Sequence, residues 1–102
     1  MSKHTPGPWS ADKNLEGVVM VDADSSGAAI CDVYGDYSGE REANAALIAA
    51  APDMLVELET LLVVHQRKVH NKLSRGDKPA AALAQSHVDR ISALIARAKG
   101  TP

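Results

Sequence analysis

Residues 40–62 read EREANAALIAAAPDMLVELETLL, and this stretch decides the fold. Nearly every residue from Ala43 to Ala51 is alanine, leucine or isoleucine, a composition that favours a helix. Pro52 lacks a backbone donor and disfavours a helical conformation in the residue before it. Because proline and an acidic residue suit the first turn of a helix, Pro52 and Asp53 indicate a new start. We therefore predict a short helix that ends at Ala51, a corner, and a long helix that leaves the corner.

Three short segments before this stretch have the composition of β-strands. They are residues 9–13, 18–21 and 28–33, and turns rich in glycine and polar residues separate them. Short strands joined by short turns are typical of an antiparallel meander. We therefore expect residues 9–39 to form an antiparallel sheet of three to four strands, preceded by an extended arm over residues 1–8.

Downstream of the corner, apolar residues recur at the three- and four-residue spacing of helices. The first of these helices is expected over residues 52–73, and the second starts around Pro79. Gly76 suits the end of one helix and Asp77 the N-cap of the next, which predicts a hairpin connection. The predicted fold class is therefore α+β: a small antiparallel β-meander, then a short helix and a long antiparallel helical hairpin, with residues 40–102 forming the helical part.

The composition limits the core that one copy can bury. The 102 residues predict one domain over residues 1–102, and phenylalanine is absent. Alanine gains little free energy on burial compared with leucine or isoleucine. Two helices of about 20 residues and about 30 Å each also overhang a three-stranded sheet and leave an apolar stripe uncovered. We therefore expect a homo-oligomer, either a dimer or a larger assembly.

Charge divides the chain into two halves despite a net charge of −2. Residues 1–51 hold three basic and eight acidic side chains (−5), whereas residues 52–102 hold eight basic and five acidic ones (+3). The basic half lacks interleaved aromatic residues, which argues against general nucleic-acid binding. It suits a small anionic ligand, and a solvated surface is the simpler alternative.

Cysteine usage and hydropathy indicate the compartment. A lone cysteine, Cys31, excludes an internal disulfide and suits a reducing environment. Neither a signal peptide nor an apolar run of spanning length is present. We expect a cytoplasmic protein without a membrane partner.

No catalytic or metal motif stands out. The chain has neither a glycine-rich phosphate loop nor a nucleophile elbow, so we expect no enzyme and no cofactor. Residues 22–27, DADSSG, begin like a calcium loop, but Val33 stands where that loop needs glutamate. The predicted hairpin brings His65 near His87, yet no further ligands accompany them. We interpret the two as a polar pair between helices, not as a metal site.

Two motifs together suggest a family. Residues 4–9 read HTPGPW, and residues 42–58 read EANAALIAAAPDMLVEL. This combination resembles a group of small bacteriophage and prophage proteins, whose best-named members are the Ead-like accessory proteins of lambdoid phages. The resemblance covers roughly residues 4–62 and implies an accessory role in manipulating the host or the lysogeny decision. It does not imply a biochemical activity.

A second resemblance concerns architecture alone. A small antiparallel sheet followed by two helices, assembled into oligomers, is similar to phage sponge proteins that sequester nucleotide signals of the Thoeris and CBASS immune systems. Their ligand residues cannot be matched to this chain one by one.

These features lead to two functional hypotheses. In the first, a non-catalytic phage counter-defence protein captures a small anionic nucleotide signal in the cytoplasm of the infected bacterium. Trp9 would then stack on a base, while Arg41, Arg90 and Arg97 would grip phosphate. In the second, the protein is a regulator that docks a host or phage protein through its helical face.

Overall fold

The computed structural model describes residues 4–35 and 39–100. Within them the chain forms three strands, β1 (Trp9–Lys13), β2 (Val19–Ala23) and β3 (Ala29–Val33), and three helices, α1 (Glu40–Ala49), α2 (Ala51–Ser74) and α3 (Lys78–Ala98). The predicted α+β class is therefore confirmed. Two compact parts can be delimited, a sheet unit over Lys3–Met54 and a hairpin unit over Leu55–Pro102. The expectation that residues 1–102 form one domain stays a prediction.

The sheet has the strand order β1-β2-β3, with both pairs antiparallel. β2 continues two residues beyond the expected strand, so Asp22 and Ala23 lie in the strand and not in the predicted loop. The reason is the strand's alternation: Val19, Val21 and Ala23 are all buried on one face, and Ala23 pairs with Trp9. Extending the strand keeps this apolar row complete.

Helix α1 packs on the sheet and closes the core of the sheet unit. Ala45 has no exposed surface and forms a cluster with Val19, Val21 and Val33. A small side chain at this position lets the helix backbone approach the strands closely. The packing of the sheet unit therefore depends on the small size of the Ala45 side chain as well as on the apolar area that is buried.

The corner lies one residue earlier than predicted. Helix α1 ends at Ala49 with Ala50 as its C-cap, and Ala51 is already the first residue of α2. The Met54 amide donates to the Ala50 carbonyl at 3.0 Å and so starts the α2 ladder. Pro52 thus occupies the first turn, where helical amides have no intrahelical partner and its missing donor costs nothing.

The hairpin connection has the predicted chemistry. Gly76 has φ +76° and donates to the Leu73 carbonyl at 3.0 Å, while the Asp77 amide donates to the Lys72 carbonyl at 2.9 Å. These two bonds form the Schellman motif that ends α2. The Asp77 carboxylate then accepts from the Ala80 amide at 3.2 Å and caps α3.

The seam between α2 and α3 is built from small and aliphatic side chains, with Leu55, Ala81, Ala84, Val88 and Ile95 buried. Leu83 and Leu94, which share the apolar three- and four-residue spacing of α3, are exposed, whereas the smaller Ala81 is buried. Among the described residues, no helix has the length and apolarity needed to cross a membrane.

Candidate anion-binding site

The residues predicted to bind a nucleotide fall in both compact parts. Trp9 and Arg41 belong to the sheet unit, and Arg90 and Arg97 belong to the hairpin unit. Whether the four residues act together stays a prediction.

Trp9 is half-buried at the start of β1 and packs against the core cluster of the sheet unit. Its indole N–H donates to the Thr5 carbonyl at 3.2 Å, and the His4 ring meets it edge-on with centroids 6.4 Å apart. The adjoining arm is fixed in turn, because the Asp24 amide donates to the Pro8 carbonyl at 3.0 Å. Trp9 therefore covers the edge of the core of the sheet unit and holds the preceding arm against it.

Arg41 lies in the first turn of α1, with its side chain against Gly35. A Cβ atom at Gly35 would stand 3.0 Å from the Arg41 Cγ atom. The Arg41 Nε atom is buried, and its residue is half-buried overall. The aliphatic part of the Arg41 side chain therefore contributes to the packing of the sheet unit.

Arg90 and Arg97 are both exposed on α3, seven residues apart. Seven residues are close to two helical turns, so the two arginines share one side of the helix. Of these two arginines, Arg90 has a described contact with an imidazole ring: its guanidinium lies 2.9 Å from the Nδ1 atom of His87. Arg90 is therefore the arginine at the centre of the candidate anion-binding site.

His87 faces His65 across the hairpin, as the sequence predicts. The two ring centroids are 5.2 Å apart with an interplanar angle of 32°. Lys68 follows His65 by three residues on α2, and Arg90 follows His87 by three residues on α3. We call the set His65, Lys68, His87 and Arg90 the basic cluster.

The hydrogen bond between Arg90 and His87 requires one tautomer of the imidazole. A guanidinium donates only, so the Nδ1 atom of His87 accepts, and the ring proton in this contact lies on Nε2. Protonation of His87 would break this bond and release the Arg90 guanidinium.

His65 is also held in its neutral form. Its Nδ1 atom is buried without a hydrogen-bond partner. Burial lowers the pKa of His65 below its ordinary value, and the positive charge of Lys68 lowers it further, as would a proton taken up by His87. No carboxylate is among the causes of this shift, so the surroundings of His65 favour its neutral form.

Carboxylates do not neutralise the basic cluster within residues 4–35 and 39–100. The ion pairs there join Lys13 to Glu42 at 3.6 Å and Lys99 to Glu59 at 3.1 Å. Asp89, next to Arg90 in sequence, instead accepts a hydrogen bond from Gln85 at 2.8 Å. The cluster therefore holds cationic and potentially cationic groups with no opposite charge on them.

A protein-family profile described as Salmonella phage P22 protein Y8K6 matches residues 1–102. The chain belongs to this phage family. No curated protein and no solved structure matches it significantly.

Membership in this phage family confirms the predicted phage character, so the chain is a phage accessory protein. The narrower resemblance to Ead-like proteins stays a prediction. Sequence reasoning placed His65 beside His87 but did not connect the pair to Arg90 or Lys68. The signal was available, because residues three apart on a helix are neighbours and both basic residues have this spacing from a histidine.

Metal ligands do not gather in the part of the chain that the structure describes: no group of three or more histidine, cysteine or acidic side chains comes together there. The Arg90 guanidinium also occupies the lone pair of His87 that a metal would need. The chemistry of the basic cluster suits an anion.

Proposed function

We propose that this phage accessory protein is a non-enzymatic counter-defence protein that captures a small anionic nucleotide signal in a homo-oligomer. The observation that carries the proposal is the basic cluster of the hairpin unit, whose charge no described carboxylate offsets. A phosphate-bearing ligand would supply the missing negative charge through charge-assisted hydrogen bonds.

The distribution of charge between the two parts supports this proposal. Residues 1–54 contain three basic and nine acidic side chains, a net charge of −6, whereas residues 55–102 contain eight basic and four acidic ones, a net charge of +4. A small anion is therefore attracted to the hairpin residues and repelled by the sheet residues.

Exposed apolar side chains support self-association. On the hairpin helices, Val56 is 59% exposed, Leu73 57% and Leu83 64%. Burying such side chains against a second copy is favourable by about 25 cal/mol per Å² of apolar area. Light scattering at micromolar concentration tests this step, and a stable monomer under those conditions would count against it.

Calorimetric titration of the full chain with cyclic dinucleotides and cyclic ADP-ribose isomers tests the function. We expect saturable heat from one class of ligand and at least about tenfold weaker binding in Arg90→Gln, equivalent to about 1.4 kcal/mol. Arg75→Gln is the matched control, since it removes the same charge at the exposed hairpin connection. A folded protein that gives no heat with any ligand would overturn the proposal.

The second candidate is a regulator that binds a host or phage protein, and the exposed hairpin leucines favour it. In this case Leu83→Gln, on α3, would abolish capture of one stoichiometric protein partner that survives a nucleotide wash. Leu15→Gln is the control, because Leu15 is fully exposed in the turn after β1. Equal capture by the two variants would exclude docking through the helical face at Leu83.

A further inference from the structure

We propose that the basic cluster binds one phosphate group of the nucleotide, which takes the Arg90 guanidinium away from His87. The inference deepens the proposed function and rests on it, because it names the part of the nucleotide that the hairpin unit would recognise. It also assigns a binding role to His65, His87 and Lys68, which sequence reasoning left outside the site.

The antiparallel hairpin places a cation on either side of the histidine pair. Each step of three residues advances about 4.5 Å along a helix. Because α2 and α3 run in opposite directions, Lys68 lies toward the hairpin connection and Arg90 lies toward the chain end. An oxyanion over the two rings would thus have a long, flexible cationic side chain within reach on each side.

The hydrogen-bond inventory of the cluster is incomplete without a ligand. The Arg90 guanidinium donates one described hydrogen bond, to His87, although it has five N–H donors. The buried Nδ1 atom of His65 has no partner. Buried polar atoms are usually hydrogen-bonded, so this nitrogen marks a position where an additional acceptor would be favourable once the ring is protonated.

Proton uptake follows from this arrangement. A phosphate anion next to the two imidazoles favours their charged form, which is the opposite of the effect of Lys68. Protonated His87 no longer accepts from Arg90, so the guanidinium becomes free to form two parallel bonds to the phosphate oxygens. Binding of the anion and protonation of the pair should therefore promote each other.

The remaining charged groups of the two helices do not oppose this coupling. Lys72, half-buried one turn beyond Lys68, adds further positive charge. On α3 the acidic residue is Asp89, which bonds to Gln85, and on α2 the acidic residue nearest to His65 is Glu59, which pairs with Lys99. Glu59 precedes His65 by six residues, about 9 Å along the helix.

The test is an NMR titration of the histidine side chains in the full-length protein with sodium sulfate, a dianion whose charge is constant near neutral pH. Sodium chloride holds the ionic strength constant. We expect saturable shifts of the His65 and His87 rings, with unchanged His4 and His70 rings. The affinity should be at least roughly tenfold higher at about pH 6 than at about pH 8.

Variants separate the site from a general salt effect. Arg90→Gln should weaken sulfate binding about tenfold, the loss expected for one charge-assisted contact, whereas Arg75→Gln should bind normally. Equal binding by the two variants, or equal non-saturating shifts of all four histidines, would overturn the proposal. Dimethyl phosphate, a monoanion with the charge of one phosphodiester group, should displace sulfate from the same site, and failure to compete with sulfate would overturn recognition of a nucleotide phosphate.

The outcome also distinguishes this inference from the proposed function. Sulfate binding at His65 and His87 without binding of any nucleotide would leave the site standing and remove the nucleotide-capture function. Nucleotide binding that is unchanged in Arg90→Gln would keep the function and overturn the site.

Discussion

Gly7 lies directly against Pro52: a Cβ atom at Gly7 would stand 2.7 Å from the Cβ atom of Pro52 and 3.3 Å from its Cγ atom. The contact joins the HTPGPW arm to the corner between α1 and α2 within the sheet unit. The two stretches that suggested a phage protein from sequence therefore touch each other, and the absence of a side chain at Gly7 makes this contact possible.

Gly7→Ala should destabilise the sheet unit by about 1–3 kcal/mol, the usual cost of overpacking a close contact. Urea unfolding followed by the fluorescence of Trp9, the single tryptophan, measures this change. Gly35→Ala is the comparison, since its Cβ atom would stand 3.0 Å from the Arg41 Cγ atom, a looser contact than the 2.7 Å at Gly7, and should cost less stability. Equal stability of the two variants would contradict the importance of the Gly7–Pro52 contact.

Ala45→Leu should also destabilise the sheet unit, by about 1–3 kcal/mol, because the helix must move away from the strands to accommodate the larger side chain. Ala45 has no exposed surface in the core cluster, whereas neighbouring Ala46 is exposed. Ala46→Leu should therefore change the free energy of unfolding by less than about 0.5 kcal/mol. The same fluorescence experiment compares them, and a similar loss in both would show that Ala45 is not tightly packed.

Asp77→Ala should lower the stability of the hairpin unit by about 0.5–2 kcal/mol, since it removes the N-cap of α3. Asp77→Asn should retain most of the stability, because the amide oxygen can still accept from the Ala80 amide. Thermal unfolding followed by far-UV circular dichroism, which reports helix content, distinguishes the variants. A loss as large in Asp77→Asn as in Asp77→Ala would argue against capping by the side-chain oxygen.

Acidification should destabilise the hairpin unit in the absence of an anionic ligand. The pKa of His65 is lowered in the folded protein from an ordinary value of 6.5, chiefly by burial, so the unfolded chain binds the proton more readily. The stabilisation is complete above pH 6.5 and is lost as the pH falls through that value toward the lower folded pKa.

Thermal unfolding across this pH range in chloride buffers measures the effect. His65→Gln should reduce the dependence on pH, while His70→Gln, exposed on the same helix, should not. Identical pH dependence in the wild type and His65→Gln would show that another group is responsible.

The local chemistry of the helix ends could be predicted from sequence because it depends on neighbours along the chain. Gly76 supplies the positive φ of the Schellman motif, and Asp77 supplies the cap three residues before its amide partner. The corner was misplaced by one residue, because Pro52 fits any position in the first helical turn and the alanines around it carry no side-chain signal. Ala50 as the cap was decided by the backbone geometry of the folded chain.

The candidate site was likewise predictable from the sequence only in part. The sequence alone could identify Arg90 as an exposed cation. Counting residues from the predicted hairpin connection could also place His65 close to His87. The hydrogen bond from Arg90 to His87 and the buried, unpartnered Nδ1 atom of His65 required side-chain positions on two helices. Burial of Ala81 and exposure of Leu83 likewise followed from the folded structure and not from the apolar spacing alone.

Sequence by itself therefore determined the order and type of the elements, the breaks between them and the phage character of the chain, since these follow from local propensity, spacing and motifs. Tertiary structure decided which small residues permit close approach, as at Gly7 and Ala45, and which charged groups lack a counterion. Those properties arise from distances between residues far apart in the chain, and a linear pattern does not contain such distances.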